Sequence, residues 1–264
     1  VAEWQAAGTP RANDEVTEGR RVMDLLLLSN STNHGRSFLE HAGDEVRDFL
    51  AGVGRLVFVP YALADHDGYT EKVRTALGDV VEVVGAHERQ EPREALAGAQ
   101  AVFVGGGNSF RLLTSLHTRG LLDPLREEVR SGRLRYMGAS AGTNMACPSL
   151  RTTNDMPIVQ PPSFETLGLV PFQINPHFLD ASPDSTHMGE TREQRIAEFH
   201  EENDVPVLGL REGAWARVSG TTATLGGETG AVLMERGRPA RELVPGSDLG
   251  FLLDANPRFD EPTS

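Results

Sequence analysis

The sequence predicts an α/β protein: a doubly wound, mostly parallel sheet followed by a C-terminal antiparallel hairpin region. Three observations lead there. Continuous apolar runs such as Leu25-Leu26-Leu27-Leu28 and Ala101-Val102-Phe103-Val104 suit strands buried on both faces. Amphipathic stretches separate these runs at the spacing of right-handed βαβ crossovers. From Ala214 onward the runs become short, alternating and split by glycines, as antiparallel hairpins require.

The elements follow in order. The first strand, from Met23 to Leu28, ends in the polar loop Ser29-Asn30-Ser31-Thr32, at the strand end where open α/β sheets place their ligands. Periodicity then predicts a helix over about 36–50, a strand at 56–60, a helix over about 67–77 and a strand at 80–84. A short helix near Pro92–Leu96 leads to the strand 101–104, and Gly105-Gly106-Gly107-Asn108-Ser109-Phe110 opens the next helix, which runs to about His117. A helix from Leu121 to about Arg130 precedes the strand that ends at Gly138. Beyond it lie a polar loop, 151–158, and a strand, 172–178, whose Pro176 suits an edge or a strand terminus. A helix then starts in the stretch 187–196, with Thr191 as its N-cap and acidic residues in its first turn. The strand 205–210 ends at Arg211-Glu212-Gly213, and the runs 214–218, 221–225 and 231–235 complete hairpins at one sheet edge. Residues 1–21 are polar and without period and read as a disordered extension. Residues 22–245 read as a single domain, and 246–264 as a polar, frayed tail.

Bulk composition narrows the function. The 264 residues carry 25 Lys+Arg against 38 Asp+Glu, a formal charge of −13. Such a surface repels phosphate backbones and anionic lipid, so neither nucleic acid nor a membrane is expected as a partner. No run reaches the roughly 20 apolar residues of a membrane helix, and no signal-peptide core opens the sequence. Cys147 is the single cysteine, which rules out an intrachain disulfide and suits a reducing cytoplasm. No metal is expected, because no His/Asp/Glu group has hydrolytic-zinc spacing such as H-E-x-x-H.

The chemistry centres on Gly138-Ala139-Ser140-Ala141-Gly142. An apolar run entering G-x-S-x-G fits a nucleophile elbow, a sharp strand-to-helix turn that lifts the serine hydroxyl off the sheet. Gly138 and Gly142 are needed because a Cβ at either would collide as the turn tightens. The Ala141 N–H would face a developing oxyanion. A second donor is expected from Gly106 or Gly107, since free N–H groups point outward from a glycine turn at a helix start. That loop lacks the Gly-Lys-Ser/Thr ending of a P-loop, and Phe110 replaces the third glycine of G-x-G-x-x-G. A tight turn without ligand is the bland alternative.

A serine nucleophile needs a base and a group that fixes the base's tautomer. His177, at a strand end, supplies the base. Asp155, in the polar loop, and Glu212, at another strand end, are both candidates for the third group; Asp155 could equally be an Asx-turn residue ahead of Pro157. Few strands separate Ser140 from His177 and no cap domain is inserted, which suits a glutamine-amidotransferase-like sheet better than an α/β-hydrolase.

These residues lie in blocks that resemble the peptidase E, or α-aspartyl dipeptidase, family: LLLLSNST at 25–32, VGGGNSF at 104–110, GASAGTNMACP at 138–148, RTTNDMPIV at 151–159, INPHF at 174–178 and GETREQRI at 189–196. The resemblance spans residue 23 to about 235. It implies hydrolysis of dipeptides with an N-terminal L-aspartate, Asp-Xaa, without metal or other cofactor and through an aspartyl-enzyme intermediate; a monomer or homodimer is expected. Ser140 would be the nucleophile, His177 the base, and Asp155 or Glu212 the third member. An aspartate substrate calls for a guanidinium to bind its side-chain carboxylate. Arg192, assisted by Arg151 or Arg195, is the candidate. A cyanophycinase-like serine peptidase and a non-enzymatic binding module on the same scaffold are the alternatives.

Overall fold

The leucine run forms β1 (Asp24–Leu28), and its side chains divide between two cores. Leu25 and Leu27 pack into one, Leu26 and Leu28 into the other. Successive residues of a strand point to opposite faces, so a strand covered on both sides must be apolar throughout. The same division runs through β4 (Ala101–Val104), with Val102 and Val104 on one face and Ala101 and Phe103 on the other. These observations come from a computed structural model that describes residues 22–181 and 189–260.

Seven strands make the larger sheet. β2 (Arg55–Val59) pairs in parallel with β3 (Glu82–Gly85) and β4, β4 with β5 (Arg135–Ala139), and β5 with β1. β8 (Ala214–Ser219) joins β1 antiparallel, and β9 (Thr222–Gly227) closes the edge as a hairpin with β8. The order is therefore β3-β2-β4-β5-β1-β8-β9. The connecting helices are α1 (Gly43–Phe49), α2 (His66–Leu77), α3 (Ser109–Thr118), α4 (Leu122–Arg130) and α5 (Ala141–Ala146).

A second sheet was not foreseen. β6 (Gln173–Phe178) and β7 (Val207–Arg211) pair in parallel, while β10 (Ala231–Met234) and β11 (Arg241–Leu243) extend β7 antiparallel, in the order β11-β10-β7-β6. α6 (Arg192–Glu202) precedes β7 and packs Ile196 with Phe178, Val207, Val232 and Met234. The run 231–235 thus leaves the β8–β9 hairpin and adds to the other sheet. Pro176 lies on β6, an edge strand of that sheet, where a missing N–H costs no ladder bond.

Local differences have local causes. The helix expected over 36–50 shrinks to a 3₁₀ turn at Glu40–Ala42 and α1. Leu39 ahead of it takes a left-handed φ of 61°, and its N–H folds back onto the Ser31 carbonyl at 2.7 Å. Val80 and Val81 donate to the Leu77 carbonyl and finish α2, so β3 starts two residues later than the sequence suggests. The segment from 246 to 260 is not a frayed tail. Leu249 and Leu252 are buried in the main core, Arg258 and Asp204 exchange backbone hydrogen bonds of 2.8 and 3.1 Å, and Asp260 pairs with Arg151 at 2.7 Å. The extension expected over 1–21, the start of the 187–196 stretch and residues 261–264 lie outside the described residues.

Two helical glycines test how the serine turn is packed. Gly142 in α5 backs onto the Val104 carbonyl, leaving no room for a Cβ. At Gly43, the first residue of α1, a Cβ would meet only the mobile end of Arg47 at 3.4 Å. Helix propensity alone would favour alanine at both. Gly142→Ala is expected to destabilise by about 1–3 kcal/mol, whereas Gly43→Ala should be neutral or stabilising by about 0.5–1 kcal/mol. Urea unfolding of the two variants measures the contrast.

Candidate active site

β1, β4 and β5 are neighbours and run parallel, so the loops after them meet at one rim. Ser140 ends β5 with φ 54° and ψ −113°, a conformation that costs a non-glycine residue about 1–3 kcal/mol. The surroundings hold it there. The Ser140 N–H donates to the Leu28 carbonyl at 3.1 Å. The Thr143 hydroxyl lies 2.6 Å from the same carbonyl and 3.0 Å from that of Gly138. The buried Tyr136 hydroxyl donates to the Gly142 carbonyl at 2.6 Å. At Gly138 a Cβ would stand 2.6 Å from the Gly142 carbonyl oxygen. Both glycines flanking the serine are therefore sterically required.

His177 arrives from the second sheet. The β6–β7 register shifts between Pro176 and Phe178, which leaves His177 as the bulged residue, with φ 53°. A bulge re-aims a side chain out of the strand's alternation. The His177 N–H donates to the Ser29 hydroxyl at 2.9 Å, and that hydroxyl donates to the Leu210 carbonyl at 2.8 Å. The imidazole Nε2 then lies 2.9 Å from Ser140 Oγ, and Nδ1 lies 2.6 Å from Glu212 Oε1. With the Nδ1 proton donated to Glu212, Nε2 is free to accept the serine proton. Glu212 follows β7 directly. Its carbonyl accepts from Thr229 Oγ1 at 2.7 Å, and the next N–H, of Gly213, donates to Asn30 Oδ1 at 2.9 Å.

Asp155 takes a different place. Its carboxylate accepts the Ser109 N–H at 2.6 Å and the Ser109 hydroxyl. Ser109 is the first residue of α3, whose N-cap, Asn108, accepts the Arg111 N–H at 3.0 Å and donates to the Met156 carbonyl at 2.9 Å. The 151–158 loop is thereby fastened to the glycine loop, and Asp155 answers the positive end of α3 rather than contacting His177.

The glycine loop also departs from expectation. The Gly106 N–H already donates to the Tyr69 hydroxyl at 2.9 Å. Burial pushes that phenol up to about 12, so it stays protonated. Gly107, with φ 137° and a Cβ position only 2.7 Å from the Ala62 carbonyl oxygen, could be no other residue. Its N–H and that of Ala141, the first residue of α5, remain the candidate oxyanion donors. Ser140, His177, Gly106, Gly107 and Tyr69 line a cavity of about 530 Å³.

The three arginines separate. Arg151 is held by Asp260 at 2.7 and 3.0 Å and by Asn203 at 3.1 Å, and it stacks on Phe259; it fastens the C-terminal segment. Arg195 is exposed, with its Nε 3.6 Å from Glu190. Arg192 is half-buried at the start of α6 and has no carboxylate within ion-pair distance among the described residues. Burial lowers its pKa, as does Arg195 nearby, while Asp155 acts in the opposite direction. Arg192 does not line the cavity around Ser140.

Sequence reasoning missed four supporting residues: Ser29, Asn30, Tyr69 and Thr143. Ser29, Asn30 and Thr143 are buried polar residues whose partners lie on other strands or loops. The only signal in the sequence was a run of hydrophilic residues placed directly after a fully apolar strand.

Comparison with known proteins places the chain in a family. Residues 25–226 match peptidase family S51. Peptidase E of Streptomyces coelicolor is 66% identical over 242 residues, covering 91% of this chain and 99% of that protein. A Drosophila melanogaster protein named "Probable alpha-aspartyl dipeptidase" is 52% identical, covering 87% and 97%. The crystal structure of a peptidase from an acI-B1 actinobacterium shares the fold with a TM-score of 0.65 at 14% identity, covering 87% of this chain and 98% of that one. The chain belongs to peptidase family S51.

Proposed function

We propose that the protein is a serine dipeptidase that cleaves peptides with an N-terminal aspartate, with Ser140 as nucleophile, His177 as general base and Glu212 as the group that orients His177. The observation that carries this reading is the continuous hydrogen-bond chain from Glu212 through His177 to Ser140, at 2.6 and 2.9 Å. The aspartate preference draws on the names of the peptidase E and α-aspartyl dipeptidase relatives. It also draws on Arg192, a half-buried cation without an ionic partner among the described residues.

In this mechanism His177 Nε2 takes the Ser140 proton as Oγ bonds to the peptide carbonyl carbon. The carbonyl π electrons move to oxygen, and the Ala141 and Gly107 N–H groups donate hydrogen bonds to that oxyanion; one such donor is worth about 2.7–4 kcal/mol. Glu212 stabilises the imidazolium and keeps its orientation. His177 then gives its proton to the amine nitrogen as the C–N bond breaks. Water attacks the aspartyl ester, losing a proton to His177, and that proton returns to Ser140 as aspartate leaves. Every step runs on groups of the chain itself, so hydrolysis should proceed with chelator present.

Hydrolysis of aspartyl p-nitroanilide tests the assignment. Ser140→Ala should lose activity by about 10⁴-fold or more with its circular dichroism unchanged. Glu212→Gln should approach that loss, because it favours the wrong tautomer of His177. Asp155→Asn should instead lower stability, by about 1–3 kcal/mol, and retain most of kcat. If Asp155→Asn abolishes kcat and Glu212→Gln does not, the roles are reversed. Arg192→Ala should cut kcat/KM for aspartyl substrates by about 30-fold or more, the effect of removing one partner of a desolvated charge pair. Unchanged kinetics would remove Arg192 from recognition.

A further inference from the structure

Of the 25 basic side chains in the sequence, one is a lysine, Lys72. It lines the same cavity as Ser140 and His177. α2 presents one face to that cavity: Asp65 at its N-cap, then Gly68, Tyr69 and Lys72. These positions are three and four residues apart, so they lie one above another on the helix. Tyr69 reaches the glycine loop through the Gly106 N–H at 2.9 Å. Lys72 is the next cavity residue along the same face.

The charge on Lys72 is uncommitted. Its Nζ sits 4.7 Å from the centroid of the Phe38 ring, and no carboxylate lies within ion-pair distance of it among the described residues. The nearby acids have other partners. Asp65 accepts the Gly68 N–H at 2.9 Å as the helix cap, and Glu71 pairs with Arg74 at 2.5 Å. Among the described residues, the exposed Lys72 ammonium thus lines the space in front of Ser140 without a carboxylate partner. Arg192, by contrast, is not part of this cavity's lining.

We propose that Lys72, seated against Phe38, binds the C-terminal carboxylate of the substrate and so sets its length at two residues. The inference rests on the peptidase reading above and deepens it. A dipeptide has its carboxylate one residue beyond the scissile bond. An ammonium at the cavity rim can meet that group, whereas an amide or a further residue presents no charge at the same place. A lysine suits the task because its compact charge sits on a flexible stem and can follow second residues of different shape. The adjacent ring attracts the ammonium without neutralising it.

The test compares kcat/KM for Asp-Leu, Asp-Leu-amide and Asp-Leu-Leu in the wild type, Lys72→Met and Lys72→Arg. Wild type should prefer Asp-Leu over its amide by about tenfold or more, the effect expected of one charged contact. In Lys72→Met the ratio should fall to near one, chiefly through a higher KM for Asp-Leu, and Lys72→Arg should restore part of it. Lys72 is exposed, so the methionine variant should fold, and a matching melting curve verifies that. Equal cleavage of Asp-Leu and its amide by the wild type would overturn the proposal, as would a preference that survives in Lys72→Met; either result leaves aspartate-directed hydrolysis standing. If Leu-Leu is cleaved as fast as Asp-Leu, yet its preference over Leu-Leu-amide disappears in Lys72→Met, the aspartate reading fails and the lysine anchor stands.

Discussion

The Ser29 hydroxyl accepts the His177 N–H at 2.9 Å and donates to the Leu210 carbonyl at 2.8 Å, and through it two separately laddered sheets are brought into register. The proposed nucleophile follows a strand of the seven-stranded sheet, and the proposed base lies on the four-stranded one. Nothing in either ladder fixes their separation. The end of β1 does. Its Leu28 carbonyl receives both the Ser140 N–H and the Thr143 hydroxyl, Ser29 receives His177, and Asn30 receives the N–H of Gly213, next to Glu212. Three consecutive residues touch the backbone beside all three members of the proposed triad. All three are buried, in surroundings where an unmade hydrogen bond is expensive.

Strain makes this anchoring necessary. Ser140 and His177 both take positive φ, 54° and 53°, and each conformation costs about 1–3 kcal/mol. Neither would persist in an isolated turn. The serine is held by packing behind it, where Gly138, Gly142 and Val104 are in close contact. The histidine is held by polar contacts around it, with Ser29 on one side and Asn154 donating to the Pro176 carbonyl at 2.9 Å on the other. Two different devices thus bring one hydroxyl and one imidazole to 2.9 Å.

The fold was legible where chemistry was local. Fully apolar runs at β1 and β4 announced strands covered on both faces, Gly138 and Gly142 announced a tight serine turn, and Thr191 announced a helix start, to which the structure adds a capping box with Gln194. The pairing of strands was not legible. The run 231–235 looks like the third strand of a hairpin, but it joins β7 because Ala231 to Met234 are buried on the far sheet. The choice between Asp155 and Glu212 was hidden for the same reason. One lies within a polar loop and the other directly after a strand, and only the tertiary fold brings Glu212 to His177 and Asp155 to the N-terminus of α3. Arg151 shows the limit from the other side: its neighbours in sequence suggested substrate, whereas its partner, Asp260, lies 109 residues away.

Ser29→Ala tests most directly whether the end of β1 sets the geometry of the proposed reaction centre. The substitution removes one hydroxyl and leaves its two backbone partners unpaired, while every reacting group remains. If the account holds, kcat for aspartyl p-nitroanilide falls by about 10²-fold, the cost of a displacement near 1 Å, with the variant still folded at the assay temperature. A folded Ser29→Ala protein with wild-type kcat would contradict it, because the histidine would then reach the serine without the Ser29 contact.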